Sequence, residues 1–207
     1  MTTPHSAAGA PVAVAILAGG QSRRMGTDKS FVLLDGQPII QHVIARVRAL
    51  ELPLLLIAND ATRYGGLGLP LYGDVLPGNG SLGGVYSALY HSPAPHTLCV
   101  GCDMPLLEPA LLRFLIAQRQ GYDVVTPVVG GRPESLHAVY SQSCLPVMRQ
   151  QIEQRQLKIN RVHDLLHTLR VEEAALRRYD PALRSFMNVN TPDDLARIRQ
   201  HLPPNAT

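Results

Sequence analysis

The chain has 207 residues, with 19 Lys and Arg against 16 Asp and Glu, for a formal net charge of +3 when histidine is neutral. A composition of 45% hydrophobic and 17% charged residues belongs to a folded globular chain and excludes a fibre or a disordered tail. The 5% aromatic content, the lack of Trp and the scattered Lys and Arg supply neither a base-stacking platform nor a phosphate-tracking stripe, so no nucleic-acid partner is expected.

Residues 1–11 contain no Lys or Arg and are rich in Ala, Pro, Ser and Gly, as in a disordered arm. The longest apolar stretches, Val12 to Ala18 and Leu52 to Ala58, are far shorter than the roughly 20 residues of a membrane-spanning helix, so no membrane association is expected. Three cysteines, an odd number, suit a reducing compartment and hence the cytoplasm.

Val12 to Ala18 reads as the first strand. It runs directly into Leu17-Ala18-Gly19-Gly20-Gln21-Ser22-Arg23-Arg24-Met25-Gly26-Thr27-Asp28-Lys29. Glycines there let the backbone turn and aim N–H groups at an anion, while Arg24 and Lys29 add positive charge over the same spot, as a triphosphate requires. The spacing is neither the Walker pattern nor the dinucleotide fingerprint. A Gly-rich turn with solvated cations is the plain alternative.

Ile39 to Leu50 carries Ile40, Val43, Ile44, Val47 and Leu50 on one stripe, the spacing of an amphipathic helix. Leu54 to Ala58 follows as a strand, and Thr97 to Gly101 as another. Cys99 and Cys102 form C-x-x-C, but three residues apart on a strand they face opposite ways and read as small core residues. Asp103, in Gly101-Cys102-Asp103-Met104-Pro105, stands at the C-terminal end of that strand, where ligands gather in parallel sheets. It is a candidate Mg²⁺ ligand or, equally, a turn residue.

A helix over Glu108 to Gln120 and strands at Val124 to Thr126 and Leu136 to Tyr140 come next, with Arg132, Glu134 and His137 as possible liners of the crevice. Leu145 to Ile152 and Val162 to Leu169 have helical spacing. In the latter, His163 and His167 stand four apart without the intervening Glu of a zinc protease helix, and a half-exposed face is the simpler reading. Arg177, Arg178 and Arg184 read as a solvated basic face. Asn188 and Asn190 offer oxygens, or caps, just before a helix whose start is signalled by Thr191, Pro192, Asp193 and Asp194. The alternation of strands and helices predicts an α/β fold, a mainly parallel sheet with helices on both faces. It is expected as a single domain over residues 12–203, with a possible acceptor-binding lobe at about residues 121–179.

The run Leu-Ala-Gly-Gly, three residues, Arg-Arg-Met-Gly-Thr-Asp-Lys, then Cys-Asp-Met-Pro, then Asn-Val-Asn-Thr-Pro resembles the molybdenum cofactor guanylyltransferases, the MobA family, over roughly Val12 to Gln200. The resemblance implies a Rossmann-like three-layer nucleotidyltransferase fold. It implies transfer of GMP from GTP to the phosphate of molybdopterin or its Mo-loaded form, with Mg²⁺ as cofactor and molybdoenzymes or their maturation proteins as possible partners. By the same resemblance Leu17, Ala18, Gly19, Gly20, Lys29, Asn59, Asp74, Leu82 and Asp103 would meet the nucleotide. Lys29, Arg24 and Asp103 would carry the chemistry, Asp103 would hold the metal with Asn190 as a further candidate ligand, and Asn188 and Asn190 would meet the acceptor. Gly19 stands where the sister cytidylyl enzymes tend to have Ala. Ser81 and Gly83 depart from the family's Gly-Pro-Leu-Ala-Gly, and Ile57 replaces an Asn found in some members. A related enzyme using CTP or a sugar phosphate, or a non-catalytic nucleotide or cofactor carrier, are the alternatives.

Overall fold

A computed structural model describes residues 11–19 and 29–201. Its elements in chain order are β1 (Val12–Leu17), β2 (Leu33–Leu34), β3 (Gln37–Pro38), α1 (Ile39–Arg48), β4 (Leu54–Ile57), α2 (Ala61–Tyr64), β5 (Leu71–Tyr72), α3 (Gly80–His91) and β6 (His96–Gly101). There follow α4 (Pro109–Ala117), β7 (Val124–Val129), β8 (Arg132–Pro133), β9 (His137–Ser141), α5 (Leu145–Glu153), α6 (Ile159–Leu165), β10 (Thr168–Val171), α7 (Glu173–Leu176) and α8 (Pro192–Arg199). Among the described residues no helix is long and apolar enough to cross a membrane.

The main sheet runs β10-β7-β9-β6-β1-β4-β5, with β8 paired to β7. β1 lies inside the sheet, between β6 and β4, and is apolar at every position, because a parallel strand covered on both faces has no solvent side. Its residues alternate between two cores. Val14 and Ile16 pack with Val43, Ile44 and Val47 of α1 and with Leu111 and Leu115 of α4. Ala13 and Ala15 pack with Leu82, Val85 and Leu89 of α3 and with Met148 of α5. Two alanines on that second face allow α3 a close approach, and the result is the three-layer α/β architecture anticipated from the sequence.

β1 pairs parallel with β4 and β6, β4 with β5, and β7 with β10. β9 breaks the pattern, antiparallel to both β6 and β7, and the short β8 pairs antiparallel with β7. The cause is local: Gly130 and Gly131 take φ of +56° and +72°, a geometry that reverses a strand within two residues, so the chain turns back through β8 and inserts β9 beside β6.

One helical expectation is corrected. The spacing that suggested a helix over Val162 to Leu169 is real only as far as Leu165; from Thr168 the chain is a strand on the edge of β7. The Asp123 carboxylate accepts the His167 N–H at 3.1 Å, and the Asp123 N–H donates to the His167 carbonyl at 2.9 Å, so sheet pairing overrides the helical period. α3, not anticipated from the sequence, carries Gly80, Gly83 and Gly84, which weaken any propensity-based signal, yet Gly83 and Gly84 fit tight places. A Cβ on Gly84 would lie 3.1 Å from Leu17 Cδ2, and one on Gly83 3.0 Å from Asn79 Cβ. α8 begins as expected, with Thr191 and Asp194 forming a reciprocal capping box. Cys99 and Cys102 do face different core layers, and burial pushes the Cys99 thiol far up, which disfavours its thiolate.

Candidate active site

The C-terminal ends of β1, β4, β5 and β6 open on one side of the sheet. Backbone bonds lock them there: Cys102 N–H donates to the Leu17 carbonyl at 3.1 Å, and Ala18 and Ala58 N–H donate to the Ile57 and Tyr72 carbonyls at 2.9 Å each. The crevice between them has a floor of Leu17, Ala18 and Gly19, and a wall of Ile57, Ala58 and Leu136. Its polar rim is Asn59, Asp74 and the first turn of α3 at Gly80 and Ser81. Gly19 has φ +146°, and nothing lies within 4 Å of where its Cβ would be, so the backbone conformation and not space is what a methyl here would oppose.

On the rim, Asn59 and Asp74 bind each other twice. The Asp74 N–H donates to Asn59 Oδ1 at 2.7 Å, and Asn59 Nδ2 donates to Asp74 Oδ2 at 2.9 Å. The next residue, Val75, donates its N–H to the Ser87 hydroxyl at 2.9 Å, which in turn donates to the Gly83 carbonyl at 2.7 Å. The Asp74 loop is therefore pinned to both β4 and α3.

The second half of the site gathers around Asp103. Gly101 allows its carboxylate to fold back, since a Cβ there would stand 2.7 Å from Asp103 Oδ1. The Asp103 carbonyl accepts the Val189 N–H at 2.9 Å, which brings the 188–190 segment to the end of β6. Burial raises the Asp103 pKa, with its own backbone N–H and the nearby Lys29 pulling the other way. Lys29, opening a single helical turn over Lys29–Phe31, donates from Nζ to Asn190 Oδ1 at 2.8 Å. The Ser30 hydroxyl anchors that turn against the Tyr64 hydroxyl at 2.9 Å. Asn188 Oδ1 is buried with no hydrogen-bond partner among the described residues. Neither asparagine side chain caps α8, because Thr191 does so and the Asn190 N–H is taken by the Asp194 carboxylate at 3.0 Å.

Residues 14–172 match the family described as the MobA-like NTP transferase domain. The chain belongs to this family. It is 33% identical to a probable molybdenum cofactor guanylyltransferase of Pelotomaculum thermopropionicum, over 89% of this chain and 90% of the other. It is 35% identical to a molybdenum cofactor guanylyltransferase of Desulfosudis oleivorans, over 87% and 90%. Among solved structures it resembles molybdopterin-guanine dinucleotide biosynthesis protein A of Archaeoglobus fulgidus with a TM-score of 0.80 and 30% identity, covering 91% of this chain and 97% of that one.

In this MobA-like chain most of the residues singled out in the sequence meet at the one sheet edge, and several do not. Gly20 and Arg24 lie outside the described residues. Leu82 does not line the crevice: its side chain is fully buried in the core beneath α3, because the third residue of this helix turns toward the sheet, leaving Gly80, Ser81 and Gly84 at the surface of the crevice. His137 is also misplaced by its polarity. It is fully buried, its ring packs on Phe186 at a centroid distance of 4.6 Å, and burial pushes its pKa down to about 3. Glu134 is half-buried with its pKa raised by desolvation, and Arg132 is exposed on β8.

His163 and His167 share no helix face. His163 is buried against the Tyr140 hydroxyl at 3.0 Å, while His167 lies beyond the end of α6 and bonds the Gly121 carbonyl at 2.7 Å. No group of three or more His, Cys, Asp or Glu side chains arranged to hold a metal occurs among the described residues. Arg177 is spent on Glu173 at 2.9 Å. Leu136 and Ala58 are crevice residues that the sequence reading passed over; their only signal is a place at or just beyond a strand end.

Proposed function

We propose that this protein transfers GMP from GTP to the terminal phosphate of molybdopterin, forming the guanine dinucleotide form of the molybdenum cofactor and releasing pyrophosphate. The observation that carries this reading is that Lys29, Asp103 and Asn190 converge at the same sheet edge as the Asn59–Asp74 rim. A nucleotide whose base lies at the rim and whose phosphates reach toward Lys29 would span that edge.

An acceptor phosphate oxygen attacks the α-phosphorus of GTP, the bond from that phosphorus to the bridging oxygen breaks, and both electrons leave with pyrophosphate. The nucleophile is already anionic near neutral pH, so no catalytic base is needed; alignment and neutralisation of charge suffice. Lys29 neutralises charge on the leaving pyrophosphate, and Arg24 is proposed to act beside it. The backbone of Leu17, Ala18 and Gly19 holds the nucleotide against the sheet, and Asp74 accepts from the guanine edge. Asn188 and Asn190 lie on the acceptor side.

The residues present fit Mg²⁺. Asp103 is a desolvated carboxylate, Asn188 Oδ1 is a buried oxygen without a partner, and a hard cation completed by substrate phosphates and water needs few protein ligands. Asp103 would hold it, and the ion would neutralise phosphate charge and orient the triphosphate.

The deciding experiment follows label from the α-phosphate of GTP, with CTP in parallel, onto purified molybdenum cofactor with Mg²⁺ and with chelator. Label from GTP alone, abolished by chelator, is expected. Label from CTP would move the base assignment to the cytidylyl branch, label onto sugar phosphates would move the acceptor, and nucleotide binding without transfer would make this a carrier.

A further inference from the structure

The rim pair explains how one base can be chosen, and it does so through a residue whose role differs from simple nucleotide contact. Asn59 follows β4 and Asp74 follows β5, 15 residues apart. Their two hydrogen bonds close a ring: backbone N–H of Asp74 to Asn59 Oδ1, and Asn59 Nδ2 to Asp74 Oδ2. With the acceptor of its amide and one of its two amide N–H groups engaged, Asn59 has a single orientation. The Asp74 carboxylate, accepting from it, is in turn held in one plane. Gly73 makes the arrangement possible, because a Cβ at that position would already press to 3.3 Å from Asn59 Oδ1.

We infer that Asn59 is a positioning residue for base selection: it fixes the Asp74 carboxylate as a reader of the guanine edge. The inference rests on the proposed GTP reading and adds the source of its selectivity. Guanine presents two adjacent donors, N1–H and the 2-amino group, which a carboxylate can accept together as strong charge-assisted bonds. Cytosine presents one donor beside a ring-nitrogen lone pair, which the same carboxylate repels. A fixed carboxylate therefore both attracts guanine and rejects cytosine, and specificity of that kind is lost when the reader can rotate away. Ile57 is 3% exposed and packed in the core, so it offers the base only an apolar wall.

The test is equilibrium binding of GTP, inosine triphosphate and CTP, by displacement of a fluorescent GTP analogue, to the wild-type protein and to Asn59→Ala. Wild type is expected to prefer GTP over inosine triphosphate, which lacks the 2-amino group, by about tenfold, the worth of one such bond, and to prefer GTP over CTP by more. In Asn59→Ala, GTP affinity should fall about tenfold while CTP affinity stays as it was, so both preferences shrink toward unity. Asp74→Asn should show the same loss of preference, and unchanged CTP binding serves as the control for folding. A uniform weakening of all three nucleotides in Asn59→Ala would mean that Asn59 is merely structural, and unchanged GTP preference would remove it from selection altogether; either overturns the inference while leaving GMP transfer intact. A wild-type protein without GTP preference would overturn the functional reading as well.

Discussion

The two halves of the crevice are finished in different ways. Where β4 and β5 end, the polar groups satisfy one another: Asn59 with Asp74, and Val75 with Ser87 and then Gly83. Where β6 and β9 meet the 186–190 segment, both ring nitrogens of His137 and Asn188 Oδ1 are buried without hydrogen-bond partners among the described residues. A paired set is preorganised, so this rim has its shape before any ligand arrives. An unpaired buried group costs about 1–3 kcal/mol, which on the β9 side is offset by packing such as that of His137 on Phe186. The rim is thus specified by hydrogen bonds, whereas the His137 ring on the β9 side is held by packing.

The largest effect that would sharpen this contrast comes from the groups joining the halves. Lys29→Ala and Asp103→Asn should each lower transfer by about 10³-fold or more, since the proposed chemistry places both where charge develops, while melting temperatures stay within a few degrees. Near-normal transfer in either variant would remove the proposed chemistry from the Asp103 side.

Next is Leu82, placed by the structure in the core and not in the crevice. Leu82→Ala should cost about 2–5 kcal/mol in urea unfolding and leave the GTP affinity of the folded protein unchanged; the reverse pattern would return Leu82 to the nucleotide.

His137 tests the unpaired half through pH. Its folded pKa of about 3 lies below the ordinary 6.5, so the folded state holds it neutral. The stability tied to that neutral form is fully present above pH 6.5 and is lost as pH falls toward 3, because the unfolded chain binds the proton first. His137→Phe should flatten that acid limb and, at neutral pH, be neutral or stabilising by up to about 2 kcal/mol, since it removes unpaired nitrogens while keeping the ring contact. A steeper acid limb in the variant would show that the nitrogens have partners.

The smallest effect belongs to the α8 cap: Thr191→Ala should cost about 1 kcal/mol, seen as a drop of about 2–4 °C in thermal melting. A larger loss would mean that the cap also holds the adjoining Asn188–Asn190 oxygens in place.

What the sequence determined by itself was local. The alternation of strands and helices, the α1 stripe from Ile40 to Val47, the cap of α8 and the gathering of Leu17, Gly19 and Asp103 at strand ends follow from periodicity and from residues adjacent in the chain. The placement of Asn59 beside Asp74, and of Lys29 beside Asn190, joins residues 15 and 161 positions apart; the family resemblance pointed to them individually, without their partners. Tertiary structure alone decided that β9 runs antiparallel, that α3 forms despite three glycines, that Leu82 faces the core and that His137 is dry. Each of these depends on what stands opposite a residue and how close it comes, and that proximity is set by the packing of layers, which no short stretch of sequence contains.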